Sequence, residues 1–194
     1  MGEKESQKKW INRNTLIDKD YIKTSNEFRR KFDKITNDKY FARLLWDSAR
    51  TMLSHRSGTN LEDMYWFDIK TKKIFAKKIN SKDKQHIKYD DNIQKKIKDH
   101  ELILTMHTHP NSFPPSIDDF DCNFKYNYYT GLVICHNGKI YKYSADEEIT
   151  DDIKNQYYIL NKKNWKLTHD ETEAQINTIL KLSNMYNISF EEVL

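Results

Sequence analysis

The sequence Glu-Leu-Ile-Leu-Thr-Met-His-Thr-His-Pro, residues 101–110, decides the predicted fold of this chain. Its first six residues form a short, almost wholly apolar run, which predicts a buried central strand. This strand would deliver His107 and His109 at its C-terminal end, directly before Pro110. The flanking sequence must then supply neighbouring strands and the helices that cover them.

Hydrophobic spacing on both sides of this strand predicts alternating helices and strands. The dipeptide Asn137-Gly138 predicts a tight hairpin between the last two strands. We expect helices over residues 26–35, from about 37 to 56, over 90–100, from 116 onward, and two more after 146, the second over 171–186; we expect strands over 64–69, 74–79, 101–106, 130–135 and 139–143. This order predicts an α/β fold, a mixed sheet flanked by helices.

Composition divides the chain of 194 residues into three parts. Residues 1–25 are polar and weakly periodic, and we expect them to form an N-terminal arm. Residues 26–145 contain all the predicted strands and form the expected α/β domain. Residues 146–194 are expected to form a C-terminal helical extension.

Charge and cysteine content limit the classes of function. The net charge of +4 is only mildly basic and is not by itself typical of a nucleic-acid-binding protein. Two cysteines and a lysine- and glutamate-rich start argue against a secreted disulfide framework, so we expect a reducing compartment, the cytoplasm. No run approaches the roughly 20 apolar residues that a membrane-spanning helix needs.

His107 and His109 form the core of a candidate metal site. Alternate side chains of an extended strand share one face, so both imidazoles can point at one ion while Thr108 points away. Asp119, in the helix that follows, can add a carboxylate. Two histidines and one aspartate would hold zinc with a fourth position open, as in catalytic zinc sites. The alternative is a pair of ordinary strand-end histidines satisfied by hydrogen bonds.

Ser116 and Asp119 have a second possible role. A Ser-x-x-Asp step at a helix start is similar to a capping box, in which the two side chains bind free backbone N–H groups. Both roles are compatible if Ser116 caps the helix while Asp119 turns towards the ion.

These residues resemble the signature of the JAMM (MPN-plus) zinc metalloproteases, also called JAB domains, and of the related RadC-type proteins. The resemblance covers residues 37–144 and implies a JAB/MPN-like, cytidine-deaminase-like architecture. It also implies that His107, His109 and Asp119 bind Zn²⁺ and that Ser116 assists at the reacting centre. The interval from Pro110 to Ser116 is one residue shorter than the usual pattern, whereas the Ser-x-x-Asp step is preserved and favours Asp119 over Asp118.

The resemblance further implies an upstream glutamate as general acid/base, and Glu62 is the candidate. Glu101 lies six residues before His107, about 20 Å away along a strand that rises roughly 3.3 Å per residue, and cannot reach the metal. Glu62 opens a different strand, and its neighbour Asp63 should face the opposite side. The alternative for Glu62 is a solvated acid at a strand start.

The chemistry implied is amide hydrolysis. Zinc lowers the pKa of a bound water to about 7, and Glu62 would take the proton of the attacking water and pass it to the departing amine. The expected partner is a protein or peptide substrate, such as a ubiquitin-like tail, with no need for nucleic acid or membrane. Two alternatives stay open: a non-catalytic MPN-like interaction module, and a RadC-like phage or mobile-element protein that acts around DNA.

Overall fold

A single six-stranded mixed sheet organises the chain. The computed structural model describes residues 13–79, 81 and 87–194. The strands are β1 (Met64–Asp68), β2 (Lys73–Lys78), β3 (Ile103–His109), β4 (Thr130–Cys135), β5 (Ile140–Ala145) and β6 (Ile188–Glu192). They lie in the order β2-β1-β3-β4-β5-β6, in which only β3 and β4 are parallel neighbours. The predicted α/β class with a mixed sheet is therefore confirmed.

Seven α-helices and a short 3-10 turn flank this sheet within the described residues. The 3-10 turn is Arg13–Thr15, and the helices are α1 (Lys19–Thr24), α2 (Asn26–Ile35), α3 (Lys39–Arg56), α4 (Asp91–Lys98), α5 (Ile117–Lys125), α6 (Asp151–Thr168) and α7 (Glu171–Ser183). Helix α3 begins at Lys39, close to the predicted start at about residue 37, and Asp38 caps it by accepting a hydrogen bond from Phe41 N. None of these helices combines the length and apolar character needed to cross a membrane.

The alternation of side chains along the strands separates the core into two faces. Tyr65, Leu104 and Leu132 point to one face and pack with the buried residues of α2 and α3. Their neighbours Trp66 and Val133 point to the other face, which α4 covers at one end and α5, α6 and α7 cover at the other. The central strands β1, β3 and β4 are thus buried on both faces, as their nearly unbroken apolar sequences predict.

The described part of the predicted N-terminal arm packs against the domain. Residues 1–12 lie outside the described residues, but the segment from residue 13 onward packs against the domain. Ile17 and Ile22 are buried in the same cluster as α2 and α3. The carbonyl oxygen of Thr15 accepts hydrogen bonds from Gly58 N at 3.0 Å and from Nδ1 of His136 at 2.6 Å. Two buried isoleucines among charged residues gave too weak a periodicity to reveal this contact.

The C-terminal segment is not purely helical either. After α6 and α7 the chain returns to the sheet as β6, which pairs antiparallel with β5 from Tyr141↔Glu192 to Ala145↔Ile188. The sequence prediction missed β6 because it is a short edge strand in which exposed and half-buried residues follow Ile188. Residues 146–194 therefore complete the sheet.

The chain order around β3 brings two other segments, the start of α5 and the N-terminal end of β1, to the C-terminal end of this strand. The chain leaves β3, forms α5 and returns as β4 parallel to β3, so the start of α5 comes next to the C-terminal end of β3. Because β1 runs antiparallel to β3, its N-terminal end meets the same place, with Met64 opposite His107. In open α/β sheets such a carboxyl-end edge is where ligands bind.

Gly131, near the start of β4, tests the packing between β4 and β5. A Cβ atom on Gly131 would lie 2.2 Å from Cζ of Tyr143, the residue paired with it across β4 and β5. Since Tyr143 is buried, its ring has little room to move. We expect Gly131→Ala to lower the free energy of unfolding by about 1–3 kcal/mol in urea titrations. In a double-mutant cycle, the same change in a Tyr143→Leu background should cost much less; equal costs would contradict a ring clash.

Candidate metal centre

His107 and His109 lie on the same face at the end of β3, as the strand periodicity predicts. Their Nε2 atoms are 3.0 Å apart. His107 is almost completely buried, at 3% exposure. Nδ1 of His109 donates to the carbonyl oxygen of Phe113 at 2.9 Å, which leaves the lone pair of Nε2 free to bind a metal. The loop after Pro110 thus sets the tautomer of the second histidine.

Asp119 brings a carboxylate to the same point from the first turn of α5. Its Oδ1 lies 3.3 Å from Nε2 of His107, and its Oδ2 lies 3.8 Å from Nε2 of His109. Asp118 is exposed and does not belong to this cluster. The preference for Asp119 in the sequence prediction agrees with this arrangement.

Ser116 and Asp119 also form the capping box. Ser116 Oγ accepts a hydrogen bond from Asp119 N at 3.3 Å, and Ser116 N donates to Asp119 Oδ2 at 2.6 Å. The Ser116 hydroxyl itself lies 2.8 Å from the same Oδ2. One carboxylate oxygen therefore holds the helix start while Oδ1 stays available to a metal, so the capping box is compatible with the predicted ligand role of Asp119.

The three side chains fit a tetrahedral cation. Their ligand atoms all lie within 4.8 Å of one another, and among the described residues they are the only such group of three or more His, Cys, Asp or Glu side chains. A tetrahedral zinc ion with bonds of about 2.0–2.1 Å separates neighbouring ligand atoms by roughly 3.3 Å. Nε2 of His107 lies close to this distance from both Nε2 of His109, at 3.0 Å, and Oδ1 of Asp119, at 3.3 Å. The carboxylate of Asp119 is farther from His109, whose Nε2 lies 3.8 Å from Oδ2. Two imidazoles and one carboxylate are donors suited to Zn²⁺, although the geometry by itself does not select zinc among the divalent metals.

The charge state of Asp119 suits a ligand role. Burial opposes ionisation of this carboxyl, but the adjacent imidazoles of His107 and His109, together with hydrogen bonds from His107 and Ser116, hold its pKa well below its ordinary value. A carboxylate that is ionised at neutral pH can bind a cation without first losing a proton.

Glu62 lies beside this cluster, as expected for the general base. Its Oε1 is 4.0 Å from Nε2 of His109. Burial, with a contribution from the negative charge of Asp119, raises the pKa of Glu62 to about 7, although His109 and Arg56 oppose the shift. Glu101, which the strand geometry excluded, is exposed and pairs with Lys70.

The register between β1 and β3 explains the position of Glu62. Met64 pairs with His107, so Glu62, two residues earlier, comes opposite His109 on the same face. Asp63 points to the other face, as predicted, and its backbone carbonyl accepts a hydrogen bond from Thr108 N at 3.1 Å. Asp63 N in turn donates to Thr108 Oγ1 at 3.0 Å. The residue between the two histidines thus ties the Glu62 segment to β3.

A buried ion pair completes the support of Glu62, and the sequence prediction did not find it. The Asp63 carboxylate is fully buried and accepts a hydrogen bond from Nε of Arg56 at 2.6 Å, while Nδ1 of His55 lies 2.7 Å away. A buried aspartate with its charge partner at the end of α3 has no local sequence signature, since the two residues meet only when α3 packs on the sheet.

Comparison with protein-family models, characterised proteins and solved structures gives no significant match for this chain. The likeness to JAMM metalloproteases therefore rests on the motif residues.

Metal content tests the ligand cluster. We expect the purified protein to bind about one divalent ion per chain, and His109→Asn to lose it, because a ligand nitrogen in the centre is removed. His169→Asn is a matched control: His169 caps α6 in a left-handed conformation that asparagine tolerates. Elemental analysis after dialysis against zinc measures both variants, and equal metal content in them would contradict the assignment.

Unfolding experiments test the buried ion pair. Asp63→Asn leaves the Arg56 guanidinium buried without a counter-charge, and we expect a loss of about 3–5 kcal/mol in the free energy of unfolding. Asp47→Asn on α3 is the control, because Asp47 pairs with Arg43 and Arg50 at the surface and should cost no more than about 1 kcal/mol. Urea titrations that gave both variants the same loss would refute a structural role for Asp63.

Proposed function

We propose that this protein is a zinc-dependent hydrolase of the JAMM type that cleaves peptide or isopeptide amide bonds. The observation that carries the proposal is the convergence of His107, His109 and Asp119 with a fourth residue outside the ligand set, Glu62, whose carboxylate lies 4.0 Å from His109. A structural zinc site needs four protein ligands and no adjacent base, whereas three ligands and a base are typical of hydrolytic sites.

Three of these residues would bind the metal ion, and the fourth would transfer protons. His107, His109 and Asp119 would hold the zinc ion, which when bound acidifies water and polarises a carbonyl group. Glu62 accepts the proton of the attacking water and gives it to the amine that leaves. Burial raises the pKa of this carboxyl above its ordinary range, which favours a group that accepts a proton and then returns it.

Ser116 supports the centre mainly through Asp119. Its hydroxyl and backbone N–H both contact Oδ2, so they orient the carboxylate and leave Oδ1 towards His107. To stabilise an oxyanion, the role implied by the family resemblance, the hydroxyl would have to turn its hydrogen away from Asp119.

A second cavity next to the centre supports a polypeptide substrate. It has a volume of about 400 Å³ and is lined by Glu62 and His109 on one side and by Phe113, Pro114 and Gln175 on another. The Gln175 amide donates to the carbonyl oxygens of Pro114 and Pro115, so α7 holds the loop that forms this wall. The space suits an extended peptide segment, such as a ubiquitin-like tail.

Substitution of Glu62 tests the mechanism. Glu62→Gln removes the proton acceptor but no metal ligand, so we expect zinc binding unchanged and the rate of amide hydrolysis reduced at least about 100-fold. Glu101→Gln makes the same chemical change at an exposed position and should retain full activity. The assay is a cleavage screen of zinc-loaded protein against peptides and ubiquitin-like tails.

Two outcomes of this screen would overturn the proposal. Wild-type activity in Glu62→Gln would remove Glu62 as the base. A zinc-loaded protein that cleaves none of the amides would instead favour the non-catalytic module, and salt-dependent binding to DNA would then favour the RadC-like alternative.

A further inference from the structure

Another cavity, of about 150 Å³, adjoins the candidate metal centre and shares Glu62, Ser116 and Asp119 with the cavity described above. Glu62, His107 and Asp119 contribute to its lining. The rest is largely apolar or aromatic and includes Met64, Ile87, Tyr89, Tyr128 and Tyr143. None of the functional roles assigned above uses these side chains.

The aromatic lining is built into the sheet. Gly131 leaves the space that the ring of Tyr143 occupies, since any Cβ there would overlap the ring. Tyr143 then packs edge-to-face on Phe120, with ring centroids 5.2 Å apart, and lies 6.3 Å from the His107 ring. This wall is therefore held on several sides and is in place before any ligand binds.

The hydroxyls of Tyr89 and Tyr128 at the cavity have partners within the protein. Nε1 of Trp66 donates to the hydroxyl of Tyr128 at 3.0 Å, and the hydroxyl of Tyr89 lies 3.5 Å from Sδ of Met64. No Lys or Arg of the described residues lines the cavity, whereas Glu62, Asp118 and Asp119 do. An anionic group would meet like charge there, and recognition depends mainly on apolar contact.

The volume matches one side chain of moderate size. An apolar cavity of roughly 150 Å³ is large enough to hold a benzene ring. A substrate group bound here lies directly beside His107 and Asp119, where the amide would be cleaved. A glycine beside that amide would leave the cavity unfilled.

We propose that this cavity is a specificity pocket that binds one uncharged apolar side chain, of leucine to phenylalanine size, from a residue flanking the cleaved amide. The inference rests on the proposed function for its link to cleavage, but the binding it describes can be measured without catalysis.

Binding of small amides to the zinc-free full chain tests the pocket. The probes are N-acetyl-leucine amide, N-acetyl-phenylalanine amide and N-acetyl-glycine amide, titrated by NMR. We expect the leucine or phenylalanine probe to bind at least about tenfold more tightly than the glycine probe, because even one methylene in an apolar pocket is worth roughly that factor. Equal affinity of all three would overturn the proposal.

A matched pair of variants locates the binding. Cys122 on α5 also lines the cavity and has no assigned role at the metal centre. Cys122→Phe should fill the cavity and bring the leucine probe down to the affinity of the glycine probe, whereas Cys122→Ser should leave the difference intact. If Cys122→Phe does not fold, Ile87→Phe fills the cavity from a partly buried position, with Ile87→Val as its control. Tight leucine binding in a folded filled variant would refute the location.

Cleavage assays keep the two proposals apart. If zinc-loaded protein cleaves no amide while the leucine probe binds and Cys122→Phe abolishes that binding, the pocket stands and the hydrolase proposal falls. If cleavage occurs, peptides with leucine or phenylalanine beside the cleaved bond should be preferred at least about tenfold in kcat/KM over those with glycine on both sides. Equal rates would overturn the pocket proposal and leave the hydrolase proposal intact.

Discussion

The antiparallel pairing of β1 with β3 is the constraint on which the candidate centre depends. It sets Met64 opposite His107 and so brings Glu62 opposite His109, on the face that carries both imidazoles. Two hydrogen bonds between Asp63 and Thr108 extend this pairing beyond Met64, the first residue of β1. A slip of one residue would turn Glu62 away from the metal ligands and bring Asp63 towards them. The buried pair of Asp63 with Arg56 opposes such a slip, because it would move the carboxylate away from its counter-charge.

The helix start at Ser116 supplies the other half of the centre. A capping box normally uses both of its side chains on backbone N–H groups, yet here the two oxygens of Asp119 are divided between the cap and His107. Because a carboxylate has two oxygens, Asp119 can accept the hydrogen bonds of the cap with one oxygen and keep the other for a ligand role. The same hydrogen bonds that begin α5 therefore also orient a carboxylate that could bind a metal ion, and the loop between His109 and Ser116 is held at both ends and by Gln175.

The segments on either side of the central domain contribute buried residues and a strand to the core and the sheet, which their polar composition does not suggest. Ile17 and Ile22 join the core that α2 and α3 form, and Thr15 accepts a hydrogen bond from His136, which immediately follows β4. At the other terminus, α7 reaches the loop beside the centre through Gln175, and β6 covers the edge of β5. Both terminal segments therefore pack against the sheet and stabilise the end of it that contains the candidate site. The two cavities that adjoin that site differ in lining, one mainly aromatic and one formed by the loop and α7.

The sequence by itself determined the elements that depend on local patterns. The apolar runs of β3 and β4, the helical spacing of α2 and α3, the cap at Ser116 and the shared face of His107 and His109 all follow from neighbouring residues, and the structure contains each of them. The roles of Arg56, Asp63 and Gln175, the burial of Ile17 and Ile22, and strand β6 were decided only by the tertiary structure. Their stabilising partners lie far away in the chain, and burial and charge pairing act only once distant segments have packed together. The position of Glu62 lies between these cases: its face follows from strand alternation, but its distance from His109 comes from the register of two strands that are 35 residues apart in the chain.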